Sequence, residues 1–107
     1  MRRRRIEYTP RARQDLIAIA EWLRDVASRD TARAYTRRVR QRIESLRDSA
    51  ERGSVRDGPV DNLRVIGLMP SISVAFVTTE DVVRILRVMY GGQNWQSDLS
   101  EQSDAKE

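Results

Sequence analysis

Apolar residues recur along this chain with two different periods, and the change of period divides it into elements. Ile6 and Tyr8 alternate with Arg5 and Glu7, the two-residue period of a half-buried strand, which places a first strand at residues 3–8. Thr9 and Pro10 follow, a hydroxyl able to accept from the first free N–H groups of a helix and a ring suited to its first turn. From there Ala12, Leu16, Ile19, Leu23 and Val26 recur every three or four residues and share one face of a helix over 10–27. Ser28-Arg29-Asp30 is the next capping signal. The stripe Ala32, Tyr35, Val39, Ile43, Leu46 and Ala50 then predicts a second amphipathic helix continuing toward Gly53. So few polar residues separate the two stripes that the helices must fold back on each other as an antiparallel hairpin.

Beyond the loop from Gly53 to Pro59 the period changes to that of strands. Leu63, Val65 and Leu68, then Ile72, Val74 and Phe76, then Val82, Val83, Ile85, Leu86 and Val88 form three short runs rich in β-branched residues. Pro70-Ser71 and Thr79-Glu80-Asp81 separate them at hairpin lengths, which predicts an antiparallel meander at 62–68, 72–78 and 82–90. The order β-α-α-β-β-β defines an α+β domain in which a helix hairpin covers one face of a small antiparallel-rich sheet. Residues 1–95 make up that domain. Residues 96–107 are Ser, Asp, Glu and Gln with almost no apolar content, an acidic polar tail expected to be flexible.

Composition narrows the chemistry. With 107 residues the chain builds one small core and has no room for a large internal substrate chamber. It contains no cysteine and no histidine, which removes disulfides, thiolate nucleophiles, Cys/His metal sites and imidazole bases together. No metal or cofactor is therefore expected. No apolar stretch approaches the length of a membrane span, and the Met1 to Arg5 start lacks the apolar run of a secretory signal, so a soluble cytoplasmic protein is expected.

Charge is placed unevenly. Residues 1–56 carry sixteen arginines against eight acids, whereas residues 57–107 are net acidic. The guanidinium fork pairs bidentately with carboxylate and phosphate, so the basic half fits an anionic partner; a solvated, salt-bridged helical surface is the alternative. The run Arg2 to Arg5 reads as a charged strand start that discourages edge-to-edge pairing, or as a nucleic-acid contact.

The order of elements and particular residues together resemble the ParE/RelE superfamily of toxins from bacterial type II toxin-antitoxin pairs, and its ParE branch more than its RelE branch. The resemblance is carried by Tyr8-Thr9-Pro10, Ala12, Asp15-Leu16, Ile19 and Trp22-Leu23, by Leu63-Arg64, and by Val83-Arg84-Ile85-Leu86-Arg87-Val88 leading to Trp95. It implies a toxin neutralised by a ParD-like antitoxin that wraps its helices and sheet, with DNA gyrase as target and no active-site chemistry of its own. Contact with operator DNA would then be indirect, through the antitoxin. RelE-like members instead cleave messenger RNA on the ribosome, and a paralogue that only binds an antitoxin is a third reading. Where the family pattern has a His-Gly-Arg-Arg-Asp-Trp-like segment, this chain has Tyr90-Gly91-Gly92-Gln93-Asn94-Trp95. That departure strips charge from the edge where an RNA-cleaving member holds its site.

Candidate site residues follow from aromatic and arginine side chains, the usual anchors of protein interfaces. Trp22, Leu23, Arg24, Tyr35 and Arg64 are the expected antitoxin-binding set, with Arg29 flanking Trp22, and Arg87, Tyr90, Asn94 and Trp95 the expected target-binding set. Two alternatives stay open for the strand residues. Arg64 and Arg87 either capture carboxylates of a partner or form salt bridges to Glu80, Asp81 or the first helix. Tyr90 either closes the end of the sheet or acts as an acid/base with Arg64 and Arg87 clamping a phosphate.

Overall fold

The computed structural model describes residues 4–48, 54–56 and 62–91. β1 (Arg5–Tyr8) leads through Thr9 into α1 (Pro10–Val26) and then α2 (Arg29–Glu44), which ends in a single 3-10 turn, Ser45–Arg47. A short strand β2 (Ser54–Arg56) precedes β3 (Leu63–Met69), β4 (Ile72–Thr78) and β5 (Val82–Tyr90). The order in the sheet is β1-β5-β4-β3-β2. The expected β-α-α-β-β-β succession is present with the meander at its expected residues, and β2 is an addition within the segment expected to be loop.

Both helices start where capping chemistry says they should. Thr9 Oγ1 accepts from the Ala12 N–H at 3.1 Å, and Ser28 Oγ accepts from the Thr31 N–H at 3.0 Å. The second helix is shorter than its apolar stripe predicts. Ser45 Oγ donates to the Arg42 carbonyl at 2.6 Å, a local bond that competes with helix continuation, and the 3-10 turn still delivers Leu46 to the core. Ala50, the last residue of that stripe, lies outside the described residues.

Hairpin turns join β3 to β4 and β4 to β5 with antiparallel pairing. The helix hairpin instead carries the chain over the sheet, so β1 returns parallel to β5, with Arg5 opposite Val82 and Tyr8 opposite Ile85. Alternation along β3 and β4 sends Val74 and Phe76 toward the helices, where they join Leu16, Ile19, Val39 and Ile43 in the main core. Leu63, Val65, Ala75 and Met89 form a second buried cluster on the other set of alternating positions. The register of β4 against β5 slips once: Phe76 faces Ile85 and Ala75 faces Arg87, leaving Leu86 as the extra residue of a β-bulge.

Candidate functional site: an aromatic cleft at the edge of the sheet

The site grows out of a mismatch in strand length. β1 pairs with β5 only as far as Ile85, so the outer edge of β5 needs other partners beyond that point. The first turns of α1 supply them. The Thr9 N–H donates to the Ile85 carbonyl at 3.1 Å, its hydroxyl donates to the Leu86 carbonyl at 3.1 Å, and Asp15 Oδ2 accepts from the Val88 N–H at 2.9 Å.

Asp15 also fixes Arg87. Arg87 Nε donates to Asp15 Oδ2 at 2.8 Å and Nη2 donates to Oδ1 at 3.2 Å, a two-pronged pair in which Arg87 is only 1% exposed. The Arg11 guanidinium approaches the same carboxylate at 3.7 Å from its exposed side. Arg87 therefore takes the structural alternative, a salt bridge to the first helix. Its assignment to target binding is corrected: a guanidinium sealed in the fold and held bidentately is not presented to a partner. Leu23 is corrected for the same reason, since it packs in the main core with Leu16 and Ile19.

Beyond the ion pair, α1 and the end of β5 enclose a cleft of about 220 Å³ lined by Asp15, Ala18, Ile19, Trp22, Val88 and Tyr90. The Trp22 ring lies 5.0 Å from that of Tyr90 at 55°, and Tyr35 of α2 meets Tyr90 edge-on at 6.2 Å. Burial, and next the neighbouring Tyr90, push the Tyr35 hydroxyl above its ordinary value and keep it protonated. Trp22 remains 47% exposed, and Ala18, Trp22 and Val26 follow one another at four-residue spacing as an open stripe on α1. Tyr90 and Trp22, expected in two different sets, thus belong to one surface.

Other expected residues are dispersed. Arg64 stands on β3 in the row Arg64-Phe76-Ile85, whereas Tyr90 stands in the row Met69-Ile72-Tyr90. Five residues of β5 separate those rows, about 16 Å at the rise of a strand. Tyr90, Arg64 and Arg87 are consequently not assembled as an acid/base with a phosphate clamp. Arg24 lies on the far flank of α1, about 200° of helical turn from Trp22, and belongs to a different groove between the helices. Asn94 and Trp95 lie outside the described residues. Sequence reasoning quoted Asp15 as a motif residue but did not place it in the site; its position seven residues before Trp22, one turn-pair away on the same flank, was the available signal.

Among the described residues no group of acids could hold a metal ion, and no helix is long and apolar enough to cross a membrane. A hairpin of helices laid over a mixed sheet whose first strand returns parallel to the last is also the fold of a chain from the solved structure "Chromosomal ParDE TA system from P. aeruginosa". The two superpose with a TM-score of 0.72 over 82% of this chain and 96% of that one, at 21% identity. The family model for the ParE toxin of type II toxin-antitoxin systems matches residues 6–95, and the chain belongs to that family. A comparison with curated proteins finds no match.

Proposed function

We propose that this ParE-family chain inhibits DNA gyrase in the bacterial cytoplasm, by binding rather than by chemistry, and that a ParD-like antitoxin holds it inactive by seating an apolar segment in the aromatic cleft. The observation that carries the reading is the open Trp22-Tyr90-Tyr35 cluster beside a dismantled acid/base set: recognition groups are grouped at the sheet edge, while the arginines a nuclease would need are buried or remote. A partner filling the cleft gains the aromatic anchor energy that dominates protein interfaces.

The test is induction of the chain without antitoxin, with DNA and protein synthesis pulse-labelled over the following minutes, together with a supercoiling assay on purified gyrase. A prompt fall in DNA synthesis with translation intact, and loss of supercoiling, is expected. A prompt fall in translation would replace the gyrase reading with messenger RNA cleavage, and no fall in either would leave an antitoxin-binding paralogue. Tyr90→Phe adds a discriminating variant, since it removes the hydroxyl that the nuclease alternative would use as its acid/base while keeping the ring: inhibition should persist.

A further inference from the structure

The helix hairpin has a second concavity that the aromatic cleft does not explain. Between α1 and α2 runs a groove of about 590 Å³ edged by five arginines, Arg24 of α1 and Arg29, Arg33, Arg37 and Arg40 of α2. We propose that this groove seats the phosphate backbone of duplex DNA.

Spacing is the first support. Arg29, Arg33, Arg37 and Arg40 recur at intervals of four, four and three residues and make a single ridge along α2. The ridge is about 16 Å long at the helical rise, a length over which one DNA strand presents about five phosphates. Availability is the second. Arg24, Arg29, Arg33 and Arg37 are exposed and make no ion pair with any described residue, although Glu21, Asp25 and Asp30 stand exposed on the same hairpin. Arg40 reaches the other way as well, its guanidinium 5.8 Å from the Tyr8 ring. Four neighbouring cations that make no ion pair with a described residue gain from an anion that spans them.

The lining narrows the occupants. Apart from the arginines it holds nothing larger than threonine, so it offers no pocket for an apolar side chain and recognises through its guanidinium groups alone. It also offers no ring on which an unpaired base could stack, which separates it from a single-strand site. The guanidinium fork suits phosphate oxygens in any sequence. The choice of duplex DNA over duplex RNA rests on the gyrase reading, because that target works on duplex DNA; the preference for phosphate does not.

The experiment is fluorescence anisotropy of a labelled DNA duplex of about two helical turns, titrated with the full chain from about 50 to 300 mM NaCl. Binding without sequence preference is expected, with a log-log salt slope of about −4. The triple variant R29Q/R33Q/R37Q should flatten that slope by about three while leaving the thermal melt in place, and R2Q/R3Q should leave the slope nearly unchanged. No binding at the lowest salt, or a slope that falls with R2Q/R3Q and not with the triple variant, overturns the proposal. Tighter binding to a duplex RNA of the same length overturns the choice of DNA, and displacement of DNA by polyglutamate at equal charge concentration overturns it in favour of an acidic protein. Gyrase is absent from this assay, so its failure leaves the gyrase reading standing, and failure of gyrase inhibition leaves the groove's salt slope untouched.

Discussion

Replacing Asp15 by Ala should destabilise this domain more than any exposed substitution on the hairpin. The carboxylate accepts three hydrogen bonds, two from the Arg87 guanidinium and one from the Val88 N–H. Its loss takes the bidentate carboxylate away from a guanidinium that is 1% exposed. Breaking a buried pair from one side costs about 3–5 kcal/mol, and the orphaned strand N–H falls within that figure because both losses share one carboxylate. Against a total stability of about 5–15 kcal/mol for a domain of this kind, that is a large fraction, and it corresponds to a melting point lowered by about 15–25 °C.

Urea unfolding of the purified toxin, followed by tryptophan fluorescence, measures the change directly. Asp15→Ala should move the midpoint with an unchanged slope, because the folded and unfolded surfaces stay the same. D15A/R87M is the decisive companion. Replacing both ends removes the uncompensated charge and keeps apolar volume, so the double variant should recover most of the loss. The exposed pair between Arg84 and Glu7, 3.2 Å apart, is the control, and Glu7→Gln should barely shift the midpoint. An Asp15→Ala midpoint within about 1 kcal/mol of the parent, or a double variant no better than the single, would refute the claim that this ion pair secures the edge of β5.

Three further outcomes are expected. Trp22→Ala should leave the melt within about 1 kcal/mol, because the ring is 47% exposed, yet weaken antitoxin binding by about 10- to 100-fold in a calorimetric titration. Thr9→Ala should cost about 1–2 kcal/mol by removing both the α1 cap and the bond to the Leu86 carbonyl, and Thr9→Ser should restore most of it in the same urea assay. Burial, then Glu44, raises the Tyr8 hydroxyl above its ordinary value of 10.0, so the folded state holds that proton after the unfolded chain releases it. The resulting stability is full below about pH 10 and is lost as pH rises through the folded-state value; Tyr8→Phe should flatten that alkaline fall in a series of melts.

Much of the fold is legible because caps and periods coincide. Thr9 and Ser28 stand where the apolar stripes begin, and the turn residues between the last three strands leave little freedom in register. What escapes the sequence has identifiable causes. Ser54-Val55-Arg56 is too short to show alternation, so β2 reads as loop. Arg87, Val88 and Met89 are buried in succession, which no two-residue period predicts; the bulge at Leu86 breaks the alternation, so that Val88 follows Ile85 on the helix face while Arg87 stands opposite Ala75 on the other. The site was harder to read than the fold because it depends on pairs such as Trp22 with Tyr90, and a separation of sixty-eight positions is closed only by the parallel return of β1.

That parallel return also explains why the aromatic cleft sits where it does. A β1 long enough to cover β5 to its end would occupy the edge that Thr9 and Asp15 now satisfy, and the cleft beside Val88 and Tyr90 would be filled by strand. Stopping β1 at Tyr8 forces the chain to enter α1 early, which lays Asp15, Ala18, Ile19 and Trp22 along the unfinished part of the edge. Asp15 then serves both sides, closing Arg87 inward while forming one wall of the cleft outward. The arginine ridge is independent of this geometry, because it lies on the flank of α2 away from Tyr35 and uses no backbone of the sheet. Substitutions in the ridge should therefore change salt-dependent binding without touching the cleft, whereas substitutions at Asp15 must disturb fold and recognition together.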